Sequence, residues 1–487
     1  MRGLQALGVE DGDRIGILSP NSAEFLQTWF ASHLIGAIAV PINIAFRGDV
    51  LRHVLELSGC TVMVVHRDFV SRVSEARWSS LPASKTLVII DDDGRPAESI
   101  ETGPVMSCDS LSFDSPLTDV EIRASDVASI MFTSGTTGPS KGVVWTHGST
   151  YHMSLVPGQS MGYGPDDVLY VCLPLFHASA LVNLTVTGLM HGARVVLAER
   201  FSVQQFWPDV AKYGITATNI LGAMGAILLS RAPDSLERDH KLRTAMVVPA
   251  PAGTAEVFRS RFGIEIVHPY GLSDFGWITW PSRGEYVPPG SIGKPHASVE
   301  VRIVDDLDNE VEIGRPGELI ARPKLPWTTP NGYWRMPEQT LEAQRNLWFH
   351  TGDLARQDAA GWLYFVDRAK DAMRRRGENV TSYEVEQAFA KHPAVVECAA
   401  YGIRSPLSED EIAVALVLRH TETKYSLADL INFVEPLLPY FAVPRYIRIV
   451  RELPKTATEK VRKGQLRDDG VTQDTWDAEA AGIRISR

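Results

Sequence analysis

The chain has 487 residues, of which 44% are hydrophobic and 22% are charged. This composition is ordinary for a globular protein, and the length predicts more than one compact unit. The formal net charge of -11 argues against a general attraction to nucleic acid or to an anionic membrane. Any anionic ligand would therefore have to be held by local donors.

Cysteine spacing and hydropathy exclude two further classes of protein. The four cysteines form no CxxC pair, so neither a disulfide framework nor a structural zinc site is predicted. No apolar run approaches the roughly 20 residues of a membrane-spanning helix, and the first residues lack the pattern of a signal peptide. We predict a cytoplasmic protein. Leu4 and Leu7 have the spacing of the end of an amphipathic helix, which leaves open whether the N-terminus is complete.

Over roughly the first 270 residues, short β-rich apolar runs alternate with helical patterns. The strand-like runs are RIGIL, TVMVV, TLVII, ASIMF, VLYVCLPL and ARVVLA, and the first is followed by the helical pattern EFLQTWFASHLIGAIAV. Strands interleaved with helices predict mainly parallel sheets that are covered on both faces. The sequence therefore predicts an α/β body.

The pattern changes at about residue 288. The runs VEVRIVD, GELIARP and WLYFVD are closely spaced and separated by Gly, Pro and Asp turns, which predicts a small antiparallel barrel or sheet. The charged stretch DRAKDAMRRRG, residues 367–377, is the predicted linker, and a compact α+β unit follows it. We predict an N-terminal body over 1–366, with a β-rich subdomain over about 275–366, and a C-terminal domain over 367–487.

The segment from residue 129 to 149, SIMFTSGTTGPSKGVVWTHGS, carries the most chemical information. An apolar strand leads into a loop of glycines, hydroxyl side chains and one lysine. Glycines let backbone N–H groups approach phosphate, hydroxyls donate hydrogen bonds or reach a metal, and lysine supplies a mobile charge. The loop is not a Walker loop, because the residue directly before Lys141 is not glycine and the residue directly after it is Gly142 rather than Ser or Thr. A flexible surface turn, the alternative, would not require five hydroxyl residues beside a lysine.

This loop resembles the signature of the acyl-adenylate-forming superfamily, which includes acyl-CoA synthetases, luciferases and peptide-synthetase adenylation domains. Matching motifs recur in the family's order from about Gly8 to Arg467. The resemblance implies a large body of two α/β subdomains plus a small β-rich subdomain, followed by a small, mobile α+β domain. It also implies that ATP, Mg²⁺ and coenzyme A serve to convert a small-molecule carboxylic acid into an acyl-adenylate and then into a thioester.

The resemblance assigns ATP to several motifs. YGLSD, residues 270–274, is similar to YGxTE, in which the aromatic ring can stack on adenine and the acidic residue can hold Mg²⁺. TGD, residues 351–353, supplies a carboxylate that can accept hydrogen bonds from the ribose hydroxyls. Asp274 and Thr133 are the implied metal ligands. The implied ATP-binding residues are Thr133, Ser134, Gly135, Thr136, Thr137, Gly138, Lys141, Ala250, Pro251, Tyr270, Gly271, Ser273, Asp353 and Arg368.

The segment PKTATEK, residues 454–460, resembles PKTxxGK. It implies that Lys460 is the catalytic cation, which bridges the acid's carboxylate and the α-phosphate as negative charge develops. Lys455 is the rival candidate. Ser273, Asp274 and Glu459 stand where the family usually has Thr, Glu and Gly, and VPAP, residues 248–251, replaces a glycine-rich element. The sequence does not say what these departures change.

Other residues are assigned to the acid and to coenzyme A. The resemblance implies a hinge at Lys370 and a coenzyme A site that includes Arg374, Arg376 and Gly377. His177, in PLFHAS, either acts catalytically at the acyl site or is a packed core histidine, and both readings stay open. The implied acyl-pocket residues are Gly222, Ala223 and Val248, although ILGAM at 220–224 is also compatible with a plain core segment. We interpret GEL at 317–319 and GYW at 332–334 as mainly structural.

Two other functions stay open at this point. An adenylate-forming enzyme could pass its acyl group to an amine or to a carrier-protein thiol, and no carrier domain is fused to the chain, which favours coenzyme A. A degenerate nucleotide-binding regulatory protein is the second alternative, and the presence of Lys141, Asp353, Arg368 and Lys460 argues against it. The sequence does not identify the acid, and it leaves a homodimer open.

Overall fold

The structure is a computed structural model of the 487-residue chain. It describes all residues except 84–85, 91–104, 112–119, 134–139, 251–252, 369–370, 372, 376–377, 405–409, 420–425, 457–459 and 484–487. The side chains of residues 223, 374, 378, 379 and 404 also lie outside the described part.

The first α/β unit is built on a seven-stranded sheet. Its strands are β1 (Arg14–Leu18), β2 (Ile38–Pro41), β3 (Val62–His66), β4 (Thr86–Ile90), β5 (Val105–Ser107), β6 (Val127–Phe132) and β7 (Gly142–Thr146). Their spatial order is β5-β4-β3-β1-β2-β6-β7, and only β6 and β7 pair antiparallel. The helices are α1 (Arg2–Ala6), α2 (Ala23–Leu34), α3 (Gly48–Ser58), α4 (Val70–Glu75) and α5 (His147–Met161).

The helical pattern EFLQTWFASHLIGAIAV is only partly helical. Helix α2 ends at Leu34, and the last part of the pattern forms strand β2. Gly36 separates the two elements with a φ of 75°, a left-handed conformation that favours glycine. The strand is buried at every position, so it lacks the alternation that would have distinguished it from a helix.

The second α/β unit has a five-stranded parallel sheet. Its strands are β8 (Val168–Val171), β9 (Arg194–Leu197), β10 (Ala217–Leu221), β11 (Thr244–Val248) and β12 (Glu265–Val267), in the order β12-β11-β10-β8-β9. Its helices are α6 (Ala178–Ala180), α7 (Thr187–Met190), α8 (Phe206–Tyr213), α9 (Gly222–Ser230) and α10 (Thr254–Phe262), with a π-helix over Leu181–Val186. Phe25 and Trp29 of α2 pack in the same hydrophobic core as Leu169 and Met246 of this sheet. The two sheets therefore share one core, and the prediction of mainly parallel, covered sheets is confirmed.

The next segment is β-rich, as the sequence predicts. A two-stranded ribbon, β13 (Tyr270–Leu272) and β14 (Gly276–Thr279), precedes a four-stranded antiparallel sheet. That sheet consists of β15 (Val299–Val304), β16 (Gly317–Pro323), β17 (Phe349–Gln357) and β18 (Leu363–Arg368), with α11 (Pro337–Ala343) between its second and third strands. All three predicted runs form strands.

The chain ends in an α+β unit. It contains the hairpin β19 (Met373–Arg375) and β20 (Glu378–Val380) and a four-stranded sheet of β21 (Val395–Arg404), β22 (Asp410–Leu418), β23 (Tyr446–Ile449) and β24 (Thr475–Asp477). Its helices are α12 (Ser382–Ala390), α13 (Leu427–Val434) and α14 (Lys463–Asp469). The hydrophobic cores of this unit are separate from those of the body. The exact domain boundary stays a prediction.

The charged stretch 367–377 is not the continuous linker that its composition predicts. Its first two residues end β18, and residues 373–375 form β19. Two of its charged side chains are buried and paired: Asp367 accepts hydrogen bonds from Ser382, and Arg375 lies 2.8 Å from Glu411. Each charge can be buried because it has a partner that is distant in the sequence. The composition of the stretch itself does not indicate that partner.

No helix among the described residues has the length and apolar character needed to cross a bilayer. The four cysteines are free thiols, and Cys60 and Cys172 are buried.

We expect replacement of His33 by asparagine to reduce the loss of stability at acidic pH. His33 is buried against Trp29, with its Nε2 3.1 Å from Ser129 Oγ. Burial, and then the charge of His147, lowers the pKa of His33 to about 3 from its ordinary 6.5. The unfolded chain therefore binds this proton at a higher pH than the folded chain does. As a result, the free energy of unfolding decreases by about 1.4 kcal/mol per pH unit as pH falls from about 6.5 towards 3. Urea unfolding at several pH values gives the free energy of unfolding as a function of pH. Its slope between pH 6.5 and 3 should be shallower in the variant, and an unchanged slope would contradict this assignment.

Candidate active site

The predicted site segments meet because each follows the carboxyl end of a strand. Thr133 follows β6, His177 follows β8, Gly222 follows β10, and Tyr270 comes shortly after β12. In open α/β sheets, ligands bind in the crevice outside these strand ends. The order of strands in the second sheet places β8, β10, β11 and β12 next to one another, so three of these segments share one edge.

The glycine- and hydroxyl-rich loop joins β6 to β7 as the connection of an antiparallel pair. Its two ends are tied by a hydrogen bond from the Thr133 N–H to the Lys141 carbonyl, 3.0 Å. Beyond the loop, the Trp145 indole N–H donates to the Ser273 carbonyl at 3.2 Å. The strand that follows the loop is therefore tied to the YGLSD segment.

Tyr333 connects this loop to Asp274. The Lys141 ammonium lies 4.6 Å from the centre of the Tyr333 ring, and the Tyr333 hydroxyl donates to the Asp274 carboxylate at 3.0 Å. Tyr333 also forms a β-bridge with Val143 of β7, which fixes the ring against the base of the loop. A cation, a phenol and a carboxylate thus follow one another along one wall of the cleft.

Asp353 lies in the middle of a second chain of polar contacts, between Tyr270 and Arg368. Its carboxylate accepts a hydrogen bond from the Tyr270 hydroxyl at 2.6 Å. The other carboxylate oxygen lies 2.8 Å from Arg368 Nε and forms an ion pair with it, without the geometry of a hydrogen bond. The Thr351 hydroxyl donates to the Leu319 carbonyl and accepts the Asp353 N–H, which explains how the TGD sequence orients the aspartate. Asp353 is 2% exposed, whereas 43% of the Arg368 side chain is exposed to solvent.

Lys460 of the C-terminal unit joins these two chains electrostatically. Its charge acts on Asp274, Asp353 and His177, which belong to three different parts of the body. The side chain is open to solvent along the cleft, yet desolvation by the surrounding protein lowers the pKa of Lys460. The rival Lys455 has a different environment, because its ammonium pairs with Glu397 of the C-terminal unit at 2.7 Å.

Burial and charge act in opposite directions on the two carboxylates. Burial raises the pKa of Asp274, whereas the Tyr333 hydrogen bond and neighbouring cations lower it. Burial likewise raises the pKa of Asp353, with Arg368 as the largest opposing influence. The cations near Asp274 are Lys141, Arg368 and Lys460. Such a mixture of desolvation and charge partners in a cleft is characteristic of functional sites.

Two of the implied acyl-pocket residues, Gly222 and Val248, lie at the carboxyl ends of paired strands in the second sheet. Leu221 and Val248 are paired neighbours on β10 and β11, and Gly222 follows directly. A Cβ at Gly222 would lie 2.7 Å from the Pro249 carbonyl oxygen, so only glycine fits this close approach. His177 lies in the segment after β8, where burial and then the charge of Lys460 lower its pKa to about 4. Its Nε2 is buried and finds no hydrogen-bond partner within the described part of the chain.

The described residues do not include every predicted one. Ser134, Gly135, Thr136, Thr137, Gly138, Pro251, Lys370, Arg376 and Gly377 lie outside them, as do the side chains of Ala223 and Arg374. Among the rest, the structure brings together Lys141, Asp274, Tyr270, Asp353 and Arg368 with Lys460. Ala250 and Gly271 are partly buried and Ser273 is exposed.

Tyr333 contributes more to the site than its GYW motif indicates. The interpretation of GYW as mainly structural is incomplete, because the Tyr333 hydroxyl contacts Asp274. GEL has a role that the same interpretation covers well: Glu318 accepts the Gly352 N–H at 3.0 Å and thereby supports TGD. No local pattern in the sequence marks Tyr333 as a partner of Asp274, which lies 59 positions away.

Two family models match the chain. The model described as AMP-binding enzyme matches residues 2–334. The chain belongs to the AMP-binding enzyme family. A second model, described as AMP-binding enzyme C-terminal domain, matches residues 384–460 and so ends at Lys460. The predicted membership of the acyl-adenylate-forming superfamily is confirmed.

Relatives of this AMP-binding enzyme include coenzyme A ligases of several kinds. The chain is 30% identical over 474 residues to the crotonobetaine/carnitine–CoA ligase of Salmonella paratyphi B, covering 95% of this chain and 89% of that one. Its fold is similar to that of the anthranilate CoA ligase AuaEII in complex with anthranoyl-AMP, with a TM-score of 0.83, 25% identity, and coverage of 99% and 90%. O-succinylbenzoate CoA synthetase from Bacillus subtilis in complex with AMP gives a TM-score of 0.80, 26% identity, and coverage of 97% and 92%. The predicted fold class is confirmed.

Proposed function

We propose that the cleft between the body and the C-terminal unit is the adenylation site of an AMP-forming acid:CoA ligase. Such an enzyme uses ATP to convert a carboxylic acid into an acyl-adenylate and then transfers the acyl group to coenzyme A. The protein is an acid–thiol ligase of this class. The acid is the part of the proposal that the relatives leave open, since their named acids are an aliphatic quaternary ammonium acid and aromatic acids.

One observation supports the proposed site most directly. The charge of Lys460, from the last part of the chain, acts on Asp274 and Asp353, one from each of the two polar chains of the body. An adenylation site must hold a polyphosphate, a ribose and a carboxylate within reach of one another. A cation between two separate groups of polar side chains has the charge and the position that this reaction requires.

In the proposed reaction, an oxygen of the acid's carboxylate attacks the α-phosphorus of ATP. The bond from the α-phosphorus to the bridging oxygen breaks, and pyrophosphate leaves with the electron pair. Lys460 would neutralise charge on the carboxylate and α-phosphate, and Lys141 would attract the departing phosphates. Asp353 would accept hydrogen bonds from the ribose hydroxyls, while Arg368 holds the carboxylate in place.

Mg²⁺ fits the same wall of the cleft. Magnesium is usually bound by one or two carboxylates together with substrate phosphates, so Asp274 with the Thr133 hydroxyl is a sufficient protein contribution. No cluster of three or more His, Cys, Asp or Glu side chains that could hold a metal ion occurs among the described residues. When bound, the ion would neutralise phosphate charge.

Thioester formation requires a second arrangement of the same site. The thiol of coenzyme A would attack the acyl carbonyl and AMP would leave, and this approach requires space that Lys460 fills during adenylation. We therefore keep Lys370 as the proposed hinge and Arg374, Arg376 and Gly377 as the proposed coenzyme A contacts. Cytoplasmic location and a homodimer stay predictions.

The function is tested by pyrophosphate release with a mixed library of acids. The library should contain short, branched, aromatic, steroid-derived and trimethylammonium acids, each supplied with ATP, Mg²⁺ and coenzyme A. Acid-dependent release of pyrophosphate, with an acyl-CoA of the matching mass, is the expected result. Release of pyrophosphate without any thioester, or no release with any acid, would overturn the proposal.

Replacement of Asp274 by asparagine is expected to raise the Mg²⁺ concentration for half-maximal pyrophosphate exchange by about tenfold or more. The amide keeps an acceptor for the Tyr333 hydroxyl but removes the negative charge that attracts the ion. Tyr333→Phe is the matched control, since it deletes the hydrogen bond and leaves the carboxylate. A magnesium dependence that changes equally in both variants would assign Asp274 a purely structural role.

A further inference from the structure

A buried amide, that of Asn21, links the first sheet to the second. Asn21 lies in the turn between β1 and α2 and is 8% exposed. Its Nδ2 donates to the carbonyls of Leu173 and Ala198, each at 2.9 Å, and its Oδ1 accepts the Leu175 N–H at 2.7 Å. Two carbonyl acceptors and one N–H donor fix the orientation of the amide. In the flipped orientation, the amide oxygen would face the two carbonyls and the amide NH₂ group would face the Leu175 N–H.

All three partners of Asn21 lie at the carboxyl edge of the second sheet. Leu173 follows β8, and Ala198 directly follows β9, so one side chain connects the ends of two strands. Leu175 belongs to the segment PLFH, residues 174–177, which ends in His177. Within that segment the His177 N–H donates to the Pro174 carbonyl at 3.0 Å, so a shift at residues 173–175 is passed to the histidine.

His177 has the properties of a group that faces the reaction. Its Nε2 is buried and has no hydrogen-bond partner among the described residues, and the charge of Lys460 helps burial to lower the pKa of the ring. An unpaired buried nitrogen is costly unless something else satisfies it, and a bound acid is a candidate partner.

We propose that Asn21 is a positioning residue for acid activation. It holds the PLFH segment against the ends of β8 and β9, and through that segment it keeps the His177 ring at the acid's end of the cleft. This inference rests on the proposed function, because it requires an acid beside Lys460. Asn21 itself touches neither Lys460 nor any residue of the two polar chains in its hydrogen bonds.

The test uses Asn21→Asp in the full-length enzyme. Aspartate has nearly the same shape and still accepts the Leu175 N–H, but it places a carboxylate against two carbonyls that the amide bonded. A misplacement of about 1 Å near the chemistry can cost about 100-fold in rate. We therefore expect kcat/KM for the acid in pyrophosphate exchange to fall by about 10- to 100-fold, while the KM for ATP stays within about twofold.

Ser22→Ala is the matched control. Ser22 is the neighbouring turn residue and caps α2 through the Phe25 N–H at 3.1 Å, but it makes no contact with the PLFH segment among its described hydrogen bonds. It should leave the acid kinetics unchanged. His177→Ala, alone and combined with Asn21→Asp, completes a double-mutant cycle. If Asn21 acts through His177, its replacement should cost little once His177 is already absent.

Each outcome decides the proposal. Wild-type-like acid kinetics in Asn21→Asp, equal losses for acid and ATP, or fully additive effects with His177→Ala would overturn it. If Asn21→Asp does not fold, Asn21→Gln is carried through the same cycle, and failure of both to fold counts against a positioning role. A wild-type enzyme without acid-dependent exchange would instead contradict the proposed function.

Discussion

Replacement of Lys460 by alanine is expected to lower acid-dependent pyrophosphate exchange by about 100- to 1,000-fold. The same variant should form thioester from supplied acyl-adenylate and coenzyme A at a rate within about threefold of the wild type. The two half-reactions separate because Lys460 is proposed to act on the developing charge of the first step and to leave the site before the second. Radiolabelled pyrophosphate exchange measures the first step, and mass-resolved acyl-CoA formation measures the second.

Lys455→Ala provides the control for this prediction. Both lysines belong to PKTATEK, but the Lys455 ammonium pairs with Glu397 at 2.7 Å, whereas Lys460 interacts with Asp353 and Asp274 of the body. Lys455→Ala should therefore leave the exchange rate within a few-fold of the wild type, since an exposed ion pair contributes at most about 1 kcal/mol. Equal loss of both half-reactions in Lys460→Ala, or the larger loss in Lys455→Ala, would contradict the assignment.

The sequence identifies those site residues whose geometry is local. In TGD, the Thr351 hydroxyl orients the next residue but one, Asp353, so the motif contains its own positioning. In PKTATEK, the Thr456 hydroxyl accepts the Lys460 N–H, and the two residues also pair through their backbones. A motif of this kind can be recognised from its letters because the contacts that shape it lie within it.

Residues whose partners are distant in the sequence cannot be recognised in this way. Tyr333 reaches Asp274 over 59 positions and Asn21 reaches Leu175 over 154. A lone tyrosine and a lone asparagine have no local pattern that marks them, because their partners are set by how the two sheets and the β-rich segment pack. The acid's identity is obscure for the same reason, since Gly222, Val248 and His177 come from three separate strand ends.

The fold shows a similar division. Apolar runs bounded by turns predict their strands well, because a strand covered on both faces needs an unbroken apolar stretch. The prediction of a single helical segment was wrong at the junction of α2 and β2, because no polar turn residues separate the two elements. The prediction of a continuous linker was also wrong in the charged stretch 367–377, where Asp367 and Arg375 are buried through partners more than ten positions away. Local composition describes what a segment would do alone, and tertiary partners change that outcome.

Replacement of Asp353 by asparagine is expected to raise the KM for ATP by about 10- to 100-fold, the equivalent of losing one or two hydrogen bonds to a charged group. The carboxylate is buried between the Tyr270 hydroxyl and Arg368. Asparagine preserves its shape, but it removes the charge and turns one of two acceptors into a donor. Initial rates of pyrophosphate exchange over a range of ATP concentrations would measure the change.

Deoxynucleotides identify which contact is lost. If the Asp353 carboxylate accepts hydrogen bonds from the ribose, the wild type should discriminate against 2′-deoxy-ATP and 3′-deoxy-ATP, and Asp353→Asn should discriminate much less. Asp358→Asn is the control, because that carboxylate lies in the turn after β17 and accepts the N–H groups of Ala360 and Trp362. Full discrimination retained in Asp353→Asn would restrict the carboxylate to holding Arg368, and the ribose would then have to be bound by other groups of the cleft.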